Sequence, residues 1–325
     1  MRLSLHGERW TAITPFRITG HTFEAFESLV VEFEDGGAVG RGEALGVYYL
    51  DETVASMSAQ VEAIAGRLEA GTDRATLQSL LPPGGARNAV DCALWDLEAK
   101  QSGRRAWELA GIEPKRLETV FTIGLEATPE AMAAKAAAAR DHGLLKVKLD
   151  GTLPLERLQA IRRARPDARI VVDANQGWTF AQLQALAPAF AELGVQMIEQ
   201  PLPRGADEPL EGYRTPLPLC ADESCLHLGE LARAARRYQM INIKLDKTGG
   251  LTHAIDLAQA ARAQGLGLMV GCMAGSSLAM APAVMLGWLC DLVDVDGPLL
   301  QKHDRLDGIR YDRGAVSLFG ASLWG

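Results

Sequence analysis

From Thr119 onward the sequence repeats a single unit, a short β-branched run followed by an amphipathic, alanine-rich helix. The runs are Val120–Gly124, Leu145–Leu149, Arg169–Val172, Gln196–Ile198, Leu217–Cys220, Met240–Leu245, Leu268–Val270 and Leu292–Val295. Helical periodicity falls near Pro129–Asp141, Leu155–Ala164, Phe180–Leu193, Leu228–Tyr238 and Thr252–Ala263, with an apolar helix at Ser276–Leu289. Only the connection after Ile198 lacks a long helix. Successive strands begin roughly 21–28 residues apart, the length of one βα unit. Eight such strands predict an α/β fold of the (β/α) barrel type. A doubly wound sheet is the competing architecture, but no glycine-rich phosphate turn follows the first strand.

The first 112 residues read differently. Phe26–Phe33 and Ala38–Ala44 flank the turn Glu34-Asp35-Gly36-Gly37 as a hairpin, and helical patterns cover Glu52–Leu68 and Ala86–Lys100. A small α+β domain at 1–112 therefore precedes a barrel at 113–301. The tail, 302–325, has too little helix for an eighth full unit, so it is expected to return to the small domain.

Charged residues recur at the carboxyl ends of the barrel strands, where barrel enzymes keep their active sites. Lys146 and Lys148 lie on the second strand, Asp173 closes the third, and Glu199 closes the fourth. Asp222 follows the fifth, Lys244 sits in the sixth, and Asp294 and Asp296 occupy the eighth. Any one of them could be a solvated strand end. The same placement on six strands of eight is poorly explained that way, because burying charge inside a barrel is costly.

Asp173, Glu199 and Asp222 offer three carboxylates from neighbouring strands, a donor set suited to a hard cation such as Mg²⁺. The six histidines show no zinc-binding spacing, and His142 with Gly143 reads as a helix stop. Lys148 and Lys244 come from opposite sides of an eight-strand ring. A substrate between them could lose a proton on one face and regain it on the other, with the metal holding the enolate oxygens that develop. A working lysine base needs its pKa lowered to about 7–8, and a neighbouring lysine and a divalent cation both push that way. Asp294 and Asp296, two apart on a strand, share a face and make a cation site, or else form a structural turn before Gly297-Pro298.

Composition excludes other classes. Net charge is −8 with scattered Lys and Arg, so no basic face for nucleic acid is evident. The uncharged stretch from Gln264 to Cys290 could span a bilayer by length, but its glycines, serines and Pro282 fit a buried strand, a loop and an apolar helix better. Five cysteines without a CxxC pair, and no secretory leader at Met1–Trp10, point to reduced thiols in a cytoplasmic protein.

Leu145-Lys146-Val147-Lys148, Val172-Asp173-Ala174-Asn175, Ile198-Glu199-Gln200-Pro201, Ala221-Asp222-Glu223-Ser224 and Asn242-Ile243-Lys244-Leu245 together resemble the ordered motifs of the enolase superfamily, muconate-lactonising subgroup. The likeness covers nearly the whole chain, including Ala86-Arg87-Asn88-Ala89-Val90-Asp91. It implies a modified TIM barrel, (β/α)7β, with an N-terminal capping domain. It further implies one Mg²⁺ per subunit on Asp173, Glu199 and Asp222, and Lys148 and Lys244 as acid/base residues. Lys146 would sit beside the substrate carboxylate, with Asn175 and Glu223 supporting the metal ligands.

Within the subgroup the chain is similar to dipeptide epimerases of the L-Ala-D/L-Glu type. These carry an Asp-x-Asp pair like Asp294-Val295-Asp296 for the substrate ammonium, and a seventh-strand pattern like Gly271-Cys272-Met273. The expected substrate is a small dipeptide, in a protein that could be a homo-oligomer, and murein-derived peptides are one source. The family's specificity loop corresponds to Thr14–Phe23, where Arg17 and His21 are the candidate substrate contacts and Gly20 or His21 stands near the position of an arginine linked to glutamate recognition. Arg17 could equally be an exposed strand residue, and Tyr48 and Tyr49, in a second candidate loop, could be packing residues. A muconate cycloisomerase or o-succinylbenzoate synthase would use the same scaffold, but neither has an ammonium for Asp294 and Asp296. A Schiff-base aldolase using Lys244 would leave the three carboxylates unexplained. A non-catalytic member of the fold would be expected to have lost some of these residues.

Overall fold

The computed structural model describes residues 1–325. The small domain opens with a three-stranded antiparallel sheet, Arg2–Ile18, His21–Asp35 and Ala38–Ala44. The hairpin expected over Phe26–Ala44 is present. The long first strand was not anticipated: its residues are mostly exposed or half-buried, so it lacks a continuous hydrophobic run. Helix Gly85–Ser102 lies directly on the third strand, because a Cβ on Gly40 would stand 2.3 Å from the Ala93 carbonyl and one on Gly42 2.1 Å from that of Ala89. Only glycine allows that approach. The helix expected at Glu52–Leu68 divides into Val54–Glu62 and Ala65–Glu69. Two more short helices, Arg74–Leu80 and Ala106–Ala110, complete the domain.

The barrel strands are Phe121–Ile123, Leu144–Lys148, Arg169–Asp173, Val195–Glu199, Leu219–Ala221, Met240–Lys244, Gly267–Gly271 and Leu292–Val293, each parallel to the next in that order. The Val120 N–H donates to the Val293 carbonyl at 2.9 Å and joins the first strand to the last. The helix expected at Leu228–Tyr238 shrinks to a 3-10 turn, Leu228–Glu230, and one turn of α-helix, Leu231–Ala234. The connections after both the fourth and fifth strands are thus without a long helix. The uncharged stretch forms the strand Gly267–Gly271 and the helix Ser277–Gly287, and no helix is long and apolar enough to cross a membrane.

Alternation along the strands builds the site. Leu144, Val171, Met197, Cys220 and Met269 form an apolar layer inside the barrel. Two residues further along the same strands stand Lys146, Asp173, Glu199 and Asp222, so period two carries the charges to the same interior face, one layer higher.

The small domain is fastened over that upper end. Arg87, buried, donates to the carbonyls of Thr248 at 2.7 Å and Gly249 at 3.0 Å. Asp246 Oδ1 accepts the N–H groups of Leu45 at 3.0 Å and Gly46 at 2.8 Å. The C-terminal tail also reaches across, with Arg305 pairing to Glu8 at 2.6 Å and Glu43 at 2.8 Å. Trp324 donates to the Cys92 carbonyl, and the Gly325 N–H to Asp96.

Candidate active site

A cavity lies between the barrel mouth and the small domain. Its floor carries Lys146, Lys148, Asn175, Asp222, Glu223, Lys244, Cys272, Met273, Asp294 and Asp296. Lys148 and Lys244 belong to the second and sixth strands of a ring of eight, and so approach the centre from opposite sides.

Four carboxylates here, Asp173, Glu199, Asp222 and Asp294, each meet an ammonium. Lys148 Nζ lies 2.6 Å from Asp173, Lys244 Nζ 2.7 Å from Asp222 Oδ2, and Lys247 Nζ 2.7 Å from Asp222 Oδ1. Lys146 Nζ is central, 2.7 Å from Asp294, 2.8 Å from Glu199 and 3.1 Å from Asp173. Asn242 Nδ2 donates to Glu199 Oε1 at 2.6 Å.

These pairings set the titration. Burial alone would raise the Asp173 pKa, yet Lys148 and Lys146 outweigh it and hold the carboxyl at about 2. Asp222 is also held well below the carboxylate range, burial being outweighed by Lys244 and Lys247. Glu199 moves upward, through burial and then Asp173. Glu223 rises to about 8 through burial and the charges of Asp222 and Asp173, and Asp296 to about 8 through burial and Asp294. The lysines depart from expectation. Burial disfavours charge on Lys146 and Lys244, but their carboxylate partners reverse that effect and leave both pKa values raised. The lowering expected from the sequence rested on a neighbouring lysine and a divalent cation, and a cation on these carboxylates would push both lysine pKa values down.

The donor set fits a hard cation. Glu199 Oε2, Glu223 Oε2 and Asn175 Oδ1 are buried and make no hydrogen bond; Lys146 stands near the first, outside bonding geometry. Three buried oxygens without hydrogen bonds, beside the carboxylates of Asp173 and Asp222, make an all-oxygen donor set of the kind a hard cation takes. Cys272, Asp294 and Asp296 also bring ligand atoms within 4.8 Å of one another. That group suits a metal less well, since burial keeps the Cys272 thiol protonated, Lys146 occupies Asp294, and the Thr122 N–H donates to Asp296 Oδ2 at 2.7 Å.

Local backbone strain marks the same place. Asn175, Gln176 and Gln200 adopt φ of 42°, 66° and 34°, in the left-handed region, just beyond the third and fourth strands. Gln200 then braces the fifth: its Oε1 accepts the N–H groups of Asp222 and Ser224, each at 3.0 Å.

Arg17 and His21 are not brought to the cavity. On the first strand Phe16 and Ile18 face inward, so Arg17 points away and lies 3.6 Å from Glu126 across a separate cleft. His21 lines that second cleft too, its ring tilted 44° to that of Phe23 with centroids 4.3 Å apart. Residues that sequence reasoning missed are Lys247, Asn242 in a bonding role, and the aromatic ceiling of Phe16, Phe23 and Phe26. Asn242 was detectable, standing two residues before Lys244 on the same strand face.

Residues 2–111 match the mandelate racemase/muconate lactonizing enzyme N-terminal domain, and residues 131–308 the enolase C-terminal domain-like family. The chain is 44% identical over 314 residues to L-Ala-D/L-Glu epimerase of Escherichia coli (strain K12), covering 96% of this chain and 98% of that one. It is 42% identical over 299 residues to N-acetyl-D-glutamate racemase of a Pseudoalteromonas species, covering 91% and 95%. An enolase family member from Agrobacterium tumefaciens with homology to dipeptide epimerases, solved with sodium and L-Ala-L-Glu and an ordered loop, superposes with a TM-score of 0.97 at 42% identity, covering 99% of each chain. A dipeptide epimerase from Methylococcus capsulatus, complexed with Mg and L-Arg-D-Lys, gives 0.89 at 29% identity, covering 98% and 96%.

The chain belongs to the mandelate racemase/muconate lactonizing enzyme family of the enolase superfamily. Its place within that family is among the dipeptide epimerases, which are isomerases.

Proposed function

We propose that this enzyme inverts the α-carbon of the C-terminal residue of a dipeptide by two-base 1,1-proton transfer, with Lys148 and Lys244 as the bases. One observation carries the reading: two buried amines face each other across the barrel mouth, with carboxylates on the strands between them. One Mg²⁺ per subunit, held by Asp173, Glu199 and Asp222, would supply electrostatic stabilisation to a substrate carboxylate whose second negative charge develops on deprotonation. Replacing the lysine pairing at Asp222 by such a cation removes what now favours protonated Lys244, as a base on that face requires.

The remaining roles fall to this chain's own side chains. Lys146, buried among Asp173, Glu199 and Asp294, stands where it can also hold the substrate carboxylate. Asp294 and Asp296 bind the substrate's α-ammonium, which offsets the burial and the Asp294 charge that together raise Asp296. Cys272 and Met273 close the seventh-strand side, and Asn175 and Glu223 support the cation from behind.

The test is solvent exchange. Each epimer of a dipeptide is incubated in D₂O with Mg²⁺ and deuterium uptake is read by mass spectrometry. Wild-type enzyme should label both epimers, and Lys148→Ala and Lys244→Ala should each lose labelling of a different one. Loss of both epimers in both variants, or of neither, rejects the two-base assignment. N-acetyl amino acids in the same assay separate ammonium recognition from acyl recognition; Asp294→Asn should weaken only dipeptide turnover.

A further inference from the structure

The positions of the two lysines fix more than the chemistry. Deprotonation makes the α-carbon trigonal, so its three heavy substituents share a plane perpendicular to the line joining the bases. That line runs from the second strand to the sixth. The plane therefore contains the barrel axis and passes the fourth and eighth strands. The substrate carboxylate takes the fourth-strand side, beside Glu199 and its neighbours. The amide nitrogen and N-terminal residue take the eighth-strand side, toward Asp294 and Asp296.

One direction remains for the side chain, along the axis. Downward, the barrel is filled by Lys146 and the apolar layer beneath it. The side chain must point up, into the underside of the small domain. There the wall is Phe16, Ile18, Phe23, Phe26, Tyr48 and Tyr49.

That wall contains no cation. The cavity's ammonium groups are the lysines of the floor, each already on a carboxylate. Arg17 points into the neighbouring cleft beside Glu126, and His21, whose ring lies 4.3 Å from that of Phe23 and 5.1 Å from that of Tyr48, lines that cleft and not the cavity. Tyr48 and Tyr49 bring two neutral hydroxyls to the wall, that of Tyr49 buried without a partner, and these suit an amide or hydroxyl. A γ-carboxylate placed here would be desolvated against ring faces that carry partial negative charge, with nothing to neutralise it. An apolar or aromatic side chain would gain from the same burial.

We infer that the dipeptides this enzyme turns over best carry an uncharged, apolar or aromatic C-terminal side chain, seated against Ile18, Phe23, Phe26, Tyr48 and Tyr49. The inference rests on the two-base reading above and adds a substrate class to it; glutamate is a poorer occupant of the same place.

The experiment compares kcat/KM for L-Ala-L-Phe, L-Ala-L-Leu, L-Ala-L-Gln and L-Ala-L-Glu, by deuterium uptake with Mg²⁺ present. Phe or Leu should exceed Glu by at least about tenfold, and Gln should also exceed Glu because it differs chiefly in charge. Glu equal to or above the apolar substrates overturns the inference and leaves the two-base chemistry standing. Exchange with none of the four overturns both. In Phe23→Arg, which places a cation in the wall, the Glu-to-Leu ratio should rise at least about tenfold. A folded Phe23→Arg enzyme with an unchanged ratio puts the side chain elsewhere and rejects the inference, and if that variant does not fold, the wild-type series decides alone.

Discussion

Lys146 Nζ lies 2.7 Å from Asp294 Oδ2, linking the second barrel strand to the eighth across the floor of the cavity. The same ammonium touches Glu199 and Asp173, so one buried charge serves three carboxylates. Lys148 shares Asp173, but Lys146 is the one ammonium on Glu199 and on Asp294.

Replacing it should expose that dependence. Lys146→Met leaves buried carboxylates short of a counter-ion, a change that costs about 3–5 kcal/mol. The loss should be largest without metal, because Mg²⁺ supplies the missing charge. Thermal unfolding with and without saturating Mg²⁺ checks this: the rise in Tm on adding metal should be larger in the variant than in the wild type. Equal rises would mean that Lys146 and the cation do not answer the same need.

The barrel was legible because its strands are short, buried and β-branched, and because Asp173 and Glu199 end theirs at a place where only a site explains a buried charge. The first strand, Arg2–Ile18, was not legible, since an edge strand with few buried residues shows no hydrophobic run. Arg17 and His21, the candidate contacts in the loop Thr14–Phe23, line the neighbouring cleft. The alternation that turns Phe16 and Ile18 inward turns Arg17 outward, a relation that needs the register of the hairpin. The direction of the lysine pKa shifts could not be read either, since it depends on which carboxylate each amine reaches. We expect Arg17→Ala and His21→Ala to leave the ranking of C-terminal side chains unchanged, measured by deuterium uptake over the same dipeptides. A reordering in either variant would show that the hairpin tip closes over bound substrate.

Asp246 should impose a pH dependence on stability. Burial raises its pKa from 3.8 to about 7, although the N–H groups of Gly46 and Leu45 favour the charged form. The folded chain thus keeps a proton that the unfolded chain releases near pH 4. Stability contributed by that proton is full below about pH 4 and falls as pH rises to about 7, by at most about 4 kcal/mol. Glu223 and Asp296, both raised to about 8, act in the same direction in the metal-free protein. Urea unfolding of the metal-free enzyme should therefore show greater stability at pH 5 than at pH 8. Asp246→Asn keeps an oxygen for the two backbone donors and cannot ionise, so it should narrow that difference. A difference as wide in the variant as in the wild type would remove Asp246 as its source.

Lys247 is the buried cation that the motifs did not reveal. Its ammonium donates to Asp222 Oδ1, the Asp222 carbonyl and the Asn242 carbonyl, each at 2.7 Å, and to the Cys225 carbonyl at 3.1 Å. It does not line the cavity, so it holds Asp222 from behind while Lys244 meets the other oxygen from within. Two effects of Lys247→Met oppose each other. Removing a positive charge near the metal site favours a cation, whereas freeing Asp222 to rotate disfavours one. Losing a partner that orients a metal ligand commonly weakens affinity about 10–100-fold, and the four acceptors gathered round its three N–H groups make Lys247 a strong orienting group. Orientation should win, and calorimetric titration of the folded variant with Mg²⁺ should show weaker binding by about that factor. The unmet carbonyls and carboxylate should also lower stability by about 3–5 kcal/mol. Tighter Mg²⁺ binding in the variant would mean that Lys247 competes with the metal rather than aiming its ligand.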